Sequence, residues 1–178
     1  MGILNKCKVY TVGGMQYTDG RDWRNKVKAE LCPRGITVFD PYHKPFLNEV
    51  KEDEEARAAL KEWMDNEEYD RVADRMKAVR NDDLRICDLS DFIIMYIDPR
   101  LASWGSAEEF FTVNRMKKPI FLAIEGGKTK CPLWIMGTIP HKYIYSSVEE
   151  IIECVKRIDD GTQVMDNYRW RLLKLQYR

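Results

Sequence analysis

Residues 91–98 read Asp-Phe-Ile-Ile-Met-Tyr-Ile-Asp, six apolar or aromatic residues in a row with an aspartate at each end. A run this short and continuous leaves no polar face for water, which is how a central strand of a parallel sheet reads when helices cover both its sides. The chain alternates around it. Upstream, residues 8–12 make a β-rich run ending at Gly13-Gly14, and a helix follows over 22–31 with Trp23, Val27 and Leu31 at helical spacing. Pro33-Arg34-Gly35 breaks that helix, residues 36–39 form a second strand stopped by Asp40-Pro41, and 42–50 read as loop. Residues 51–79 carry an apolar trace (Ala56, Ala59, Leu60, Trp63, Met64, Val72, Met76, Val79) with a break near Asp65-Asn66 and a helical pattern running on to Leu89. Downstream come a loop over 99–104, a helix over 106–116, a strand over 120–124 ended by Gly126-Gly127, and a loop over 128–140. A short strand at 143–145 and a helix over 147–158, with Val148, Ile151, Ile152 and Val155 inward, complete the pattern.

Strands alternating with helices imply βαβ units. The expectation is a single flavodoxin-like or Rossmann-like α/β domain over residues 1–158, a parallel sheet of about five strands with helices on both faces. Residues 159–178 form a basic, aromatic extension, and Tyr168, Arg169, Trp170 and Arg171 are expected to pack back on the domain. In such sheets ligands sit at the carboxyl ends of the strands, which directs attention to the loops at 13–19, 99–106 and 125–134.

Composition narrows the function. Lys and Arg number 29, as do Asp and Glu, so the formal charge is zero, which argues against a binder of duplex nucleic acid. A hydrophobic content of 44% argues against disorder. No run reaches the ~20 apolar residues of a membrane helix, and residues 1–10 hold no signal-peptide core. The 5 cysteines form no CxxC pair and only 2 histidines accompany them, so no metal site or disulfide framework is expected and the thiols suit a reducing cytoplasm. If the protein is an enzyme, carboxylates carry its chemistry.

Gly13-Gly14 reads first as a tight turn, and its bare amides would also suit a phosphate, though the spacing is neither a dinucleotide fingerprint nor a P-loop. Tyr10, at the end of that strand, reads as core with a hydroxyl able to reach the crevice. Ser106-Ala107-Glu108-Glu109 opens the helix after the central strand as a capping box, Ser106 the cap and Glu109 the third helical residue. Ser147-Val148-Glu149-Glu150 is the same pattern with no function beyond capping. Placement separates them: Glu109 follows the most buried strand and Trp104-Gly105, and a carboxylate at a helix N-terminus is expected to stay ionised, fit to act as a nucleophile. Asp82 and Asp83 stand late in a helix, against the preference of its dipole, which hints at another use beside the plainer one of a solvated face.

Taken together, these residues resemble the nucleoside 2-deoxyribosyltransferase superfamily, most of all its phage-encoded members. The match runs through Tyr10-Thr11-Val12-Gly13-Gly14-Met15 with Trp23-Arg24, Asn81-Asp82-Asp83-Leu84 with Asp91, Gly105-Ser106-Ala107-Glu108-Glu109, and Asn114 to Phe121, covering roughly residues 8–158. The resemblance implies that Glu109 is the nucleophile, that Tyr10 orients it, and that Asp83 contacts the base and protonates it as it leaves. It implies substrate contacts from Gly13, Gly14, Met15, Gly105 and Ser106. Where many transferases carry an aspartate six residues before the nucleophile, this chain has Ser103, as do the members that hydrolyse nucleoside 5′-monophosphates and bind phosphate with that serine. Trp134 falls near the place of the asparagine that transferases offer to the sugar 5′-hydroxyl. The expected activity is cleavage or transfer of an N-glycosidic bond in a (deoxy)nucleoside or its 5′-monophosphate, with no cofactor, by a homo-oligomer in the cytoplasm, the host's if the chain is phage-encoded. The alternative is a nucleotide-binding or signalling module of the same fold with altered chemistry; a protein-interaction role for the tail is a third reading.

Overall fold

The structure is a computed structural model that describes residues 2–15, 20–46, 50–101, 103–165, 168–170 and 173. Its strands are β1 (Lys8–Gly13), β2 (Thr37–Phe39), β3 (Phe92–Ile97), β4 (Ile120–Ile124) and β5 (Ile144–Tyr145). All pair in parallel in the order β2-β1-β3-β4-β5. The helices are α1 (Arg21–Leu31), α2 (Glu54–Asp65), α3 (Tyr69–Leu89), α4 (Trp104–Arg115), α5 (Leu133–Met136) and α6 (Val148–Asp159). The sheet is sandwiched, with α1 packing beside α6 and α3 beside α4. Such a sheet buries both faces, and accordingly all 5 residues of β4 and the first 4 of β3 are buried.

Strand order reverses between β1 and β3, the neighbours from which the chain winds off in opposite directions. In sheets of this kind the loops leaving the carboxyl ends of two such strands diverge, and ligands commonly sit between them. The chain after Gly13 and the start of α4 both belong to that end. Gly13 is required at its position, because a Cβ there would come within 2.6 Å of the Tyr96 carbonyl oxygen on the adjoining strand.

The opposite end of the sheet is closed by aromatic packing. The Phe121 ring lies 5.9 Å from Phe92, 6.0 Å from Tyr143 and 5.6 Å from Trp170, all within contact range for edge and tilted pairs. Trp170 is wholly buried, and Arg169 donates to the Asn114 side chain at 2.6 Å and to the Lys118 carbonyl at 3.1 Å. These tail residues pack on the domain; positions 166–167, 171–172 and 174–178 lie outside the described residues.

Three boundaries differ from the sequence reading. The 128–140 stretch is not all loop: Leu133–Met136 forms the single turn α5 behind Pro132, whose missing N–H costs nothing at a helix start. The break between α2 and α3 is made at Glu67, which takes a left-handed φ of 60°. The third bears on the site, because α4 begins at Trp104 rather than Ser106.

Candidate active site

The buried residues of α4 are Ser106, Glu109, Phe110 and Val113, the i, i+3, i+4, i+7 stripe of a helix facing a core. An acid therefore occupies a core position, and Glu109 is only 7% exposed. Its neighbour Glu108 falls on the outer face and forms a two-toothed ion pair with Arg80 of α3, one contact at 2.7 Å. The Tyr10 hydroxyl, itself buried on β1, donates to Glu109 Oε1 at 2.7 Å.

The expected capping box at Ser106 is absent. Ser106 is the third residue of α4, and the N-cap is Ser103, whose hydroxyl donates to Ser106 Oγ at 2.8 Å and accepts from no helix N–H. The matching string at 147–150 does cap α6, with Ser147 Oγ accepting from the Glu150 N–H at 3.2 Å. The expectation that a helix N-terminus keeps Glu109 ionised is corrected with it. Glu109 lies beyond the first turn, where the dipole has faded, and burial dominates. Loss of water, then the Asp83 charge, lift its carboxyl to about 8, against the opposing pull of the Tyr10 hydrogen bond and the Arg24 charge. The Tyr10 phenol is likewise raised, by burial first and Glu109 second.

Asp83 stands on α3 with its carboxylate against Lys44 Nζ at 2.8 Å, and the same ammonium meets Glu52 Oε1 at 2.6 Å. Burial and Glu52 raise Asp83 to about 6, while Lys44 pulls it down. Asp82 and Asp83 do not oppose the end of the helix dipole, since α3 continues to Leu89. Asp82 has its own partner, accepting the Val50 N–H at 3.1 Å. The acids that looked misplaced hold Lys44 and Val50 against α3.

The glycine loop after β1 is braced by Arg24. This buried guanidinium donates to the carbonyls of Gly13 and Gly20 at 2.9 Å each and to that of Thr11 at 3.4 Å. Met15 offers its carbonyl to Arg57 at 3.0 Å, and the Gly14 carbonyl faces Gly20. Gly105 has open space where a Cβ would stand. Trp134 on α5 is 78% exposed, and no hydrogen bond or ring contact among the described residues joins it to Tyr10, Asp83 or Glu109. Thus the structure brings Tyr10 to Glu109, places Asp83 close enough to Glu109 to perturb it, and joins Ser103 to Ser106. Residues 16–19 and 102 of the expected site loops lie outside the described residues.

Sequence reasoning passed over Lys44, Glu52 and Arg57. Nothing in a single sequence marks a loop lysine as buried, whereas Glu109 was findable as a charge on an apolar helical stripe. A cavity of about 290 Å³ between α2 and α3, lined by Lys51, Asp53, Ala59, Trp63 and Arg75 among others, shares none of the site residues. Among the described residues no group of three or more His, Cys, Asp and Glu side chains is placed to hold a metal, and no helix is long and apolar enough to cross a membrane. All 5 cysteines are free thiols.

Fold and site together define a single flavodoxin-like α/β domain with a buried carboxyl–phenol pair between the middle of β1 and α4. No protein-family model and no curated protein matches the chain. Among solved structures it is similar to a conserved protein from Enterococcus faecalis V583, with a TM-score of 0.50 and 13% identity over 85% of this chain and 98% of that one. At that identity the likeness bears on the fold alone.

Proposed function

We propose that the chain cleaves or transfers the N-glycosidic bond of (deoxy)nucleosides or their 5′-monophosphates through a covalent glycosyl–Glu109 intermediate, as its resemblance to the nucleoside 2-deoxyribosyltransferase superfamily implies. The observation that carries this is the buried 2.7 Å bond from Tyr10 to Glu109 at the strand-order reversal. The Glu109 carboxylate attacks C1′; the bond from C1′ to the base nitrogen breaks, and its electron pair leaves with the base. Asp83 delivers a proton to the departing base. A second base or a water then attacks C1′ from the vacated side, releasing Glu109 with net retention, as in retaining glycosidases.

This chemistry needs the proton on Asp83 and off Glu109. Burial raises both carboxyls, Asp83 to about 6 and Glu109 to about 8, so between those values the resting proton lies with Glu109 and the reaction requires it to pass to Asp83. Tyr10 and Arg24 both favour the ionised Glu109, and the positive charge that grows on the sugar draws it the same way. Ser103, beside the uncapped start of α4, is suited to a 5′-phosphate. The exposed Trp104, Leu133 and Trp134, 85%, 89% and 78% accessible, favour a homo-oligomer.

A Glu109→Ala variant, incubated with mixed deoxynucleosides and monophosphates and assayed by mass for free base, is expected to release none where the wild type does. Retained turnover would remove Glu109 from the mechanism. The raised carboxyl of Glu109 favours a second reading, a nucleotide-binding module that does no chemistry. Calorimetric binding of nucleotides by a wild type that turns over none of them would select it.

A further inference from the structure

Lys44 has a side chain only 1% exposed, between Glu52 Oε1 at 2.6 Å and Asp83 Oδ1 at 2.8 Å. Lysines are almost never buried unless paired, and a buried ion cluster adds little stability over apolar residues of equal volume. Folding alone therefore gives little reason for a charged group here. Asp40 turns the chain after β2 by accepting the Tyr42 N–H at 2.6 Å, and Asp82 receives the Val50 N–H at 3.1 Å, so one connection delivers both Lys44 and Glu52 to α3.

We propose that Lys44 is a positioning residue for the leaving-group acid: held between Asp83 and Glu52, it fixes the orientation of the Asp83 carboxyl and, with Glu52, sets the charge around it. The proposal rests on the reading of Asp83 and Glu109 given above. Lys44 touches Asp83, and the other titratable groups whose charges couple to it are Glu52 from the connection before α2, Asp82 and Cys87 from α3, Tyr10 from β1 and Glu109 from α4. Lys44 touches two of these carboxylates. Burial pulls its ammonium down, but Asp83 and Glu52 together hold it above the ordinary value, so it stays charged throughout the working range. With Lys44 in place, Asp83 keeps one orientation and gives up its proton more readily than burial beside Glu52 would otherwise allow.

The test is a carboxyl titration of Asp83 by carbon NMR, assigned with Asp83→Asn, in the wild type and in Lys44→Met, Lys44→Arg and Glu52→Gln, each first checked for fold by circular dichroism. Lys44→Met should move the Asp83 midpoint up by about one pH unit or more and Glu52→Gln should move it down, a pair of opposite signs that general loosening does not produce. Lys44→Arg should return at least half of the shift. In turnover, Lys44→Met should lower the plateau value of kcat through lost orientation of Asp83, with KM within about threefold, and move the alkaline limb of the pH profile upward. If Lys44→Met does not fold, Lys44→Arg and Glu52→Gln carry the comparison. Midpoints that coincide in the folded variants overturn the proposal. Midpoints that move with opposite signs in a wild type inert toward every nucleoside and monophosphate uphold the anchoring of Asp83 and overturn the glycosidic reading it serves.

Discussion

Replacing Glu109 by glutamine should make the protein more stable, and by an amount that grows with pH. The carboxyl is raised from an ordinary 4.5 to about 8, with burial the largest cause. In that interval the folded state binds a proton that the unfolded chain has already released, so stability falls as pH rises through it. Each pH unit costs ~1.4 kcal/mol, and the whole interval on the order of 3–5 kcal/mol. Glutamine has the same shape, still accepts from Tyr10, and carries no charge at any pH. Near pH 5 the two proteins should be nearly equal in stability; by about pH 8.5 the Glu109→Gln variant should lead by several kcal/mol. Urea unfolding followed by tryptophan fluorescence at about pH 5, 7 and 8.5 measures the difference, and titrating groups that do not couple to Glu109 cancel within it. A difference that stays flat across the series would show that Glu109 is not held against its charge, and the account of the site from burial would fail. The same variant should be inactive, which makes the position one where stability is given up for chemistry.

Tyr10→Phe removes the hydroxyl that favours ionised Glu109, so the acid limb of kcat/KM should move to higher pH and activity near pH 7 should fall about tenfold, with partial recovery at alkaline pH in a pH–rate profile. Ser103→Ala should weaken a monophosphate substrate more than its nucleoside, read from the two kcat/KM values; equal losses would leave Ser103 a loop residue whose only role is its contact with Ser106. Trp170→Ala should cost ~3–5 kcal/mol in urea unfolding, because the wholly buried ring packs against both Phe92 and Phe121. Turnover per folded molecule should be unchanged by it, since that packing closes the end of the sheet away from Glu109.

What the chain alone determined is its layering. The unbroken run at 92–97, the alternation of strands with helical stripes, and the breaks at Gly13-Gly14, Asp40-Pro41 and Gly126-Gly127 are local features, written in the spacing of neighbouring residues, and the parallel sheet follows from them. Tertiary structure decided the meaning of two strings of the same pattern. Ser-Ala-Glu-Glu and Ser-Val-Glu-Glu have equal claims to cap a helix, yet only the second does, because Trp104 and Gly105 extend α4 backward and turn Glu109 onto its buried stripe against Tyr10, a partner 99 residues away. The protonation of that carboxyl, the burial of Lys44 and the pairing of Asp83 belong to the same class. Each depends on how much water and which charges distant segments bring together, and a Coulomb interaction or a desolvation cost has no period along a chain from which to read it.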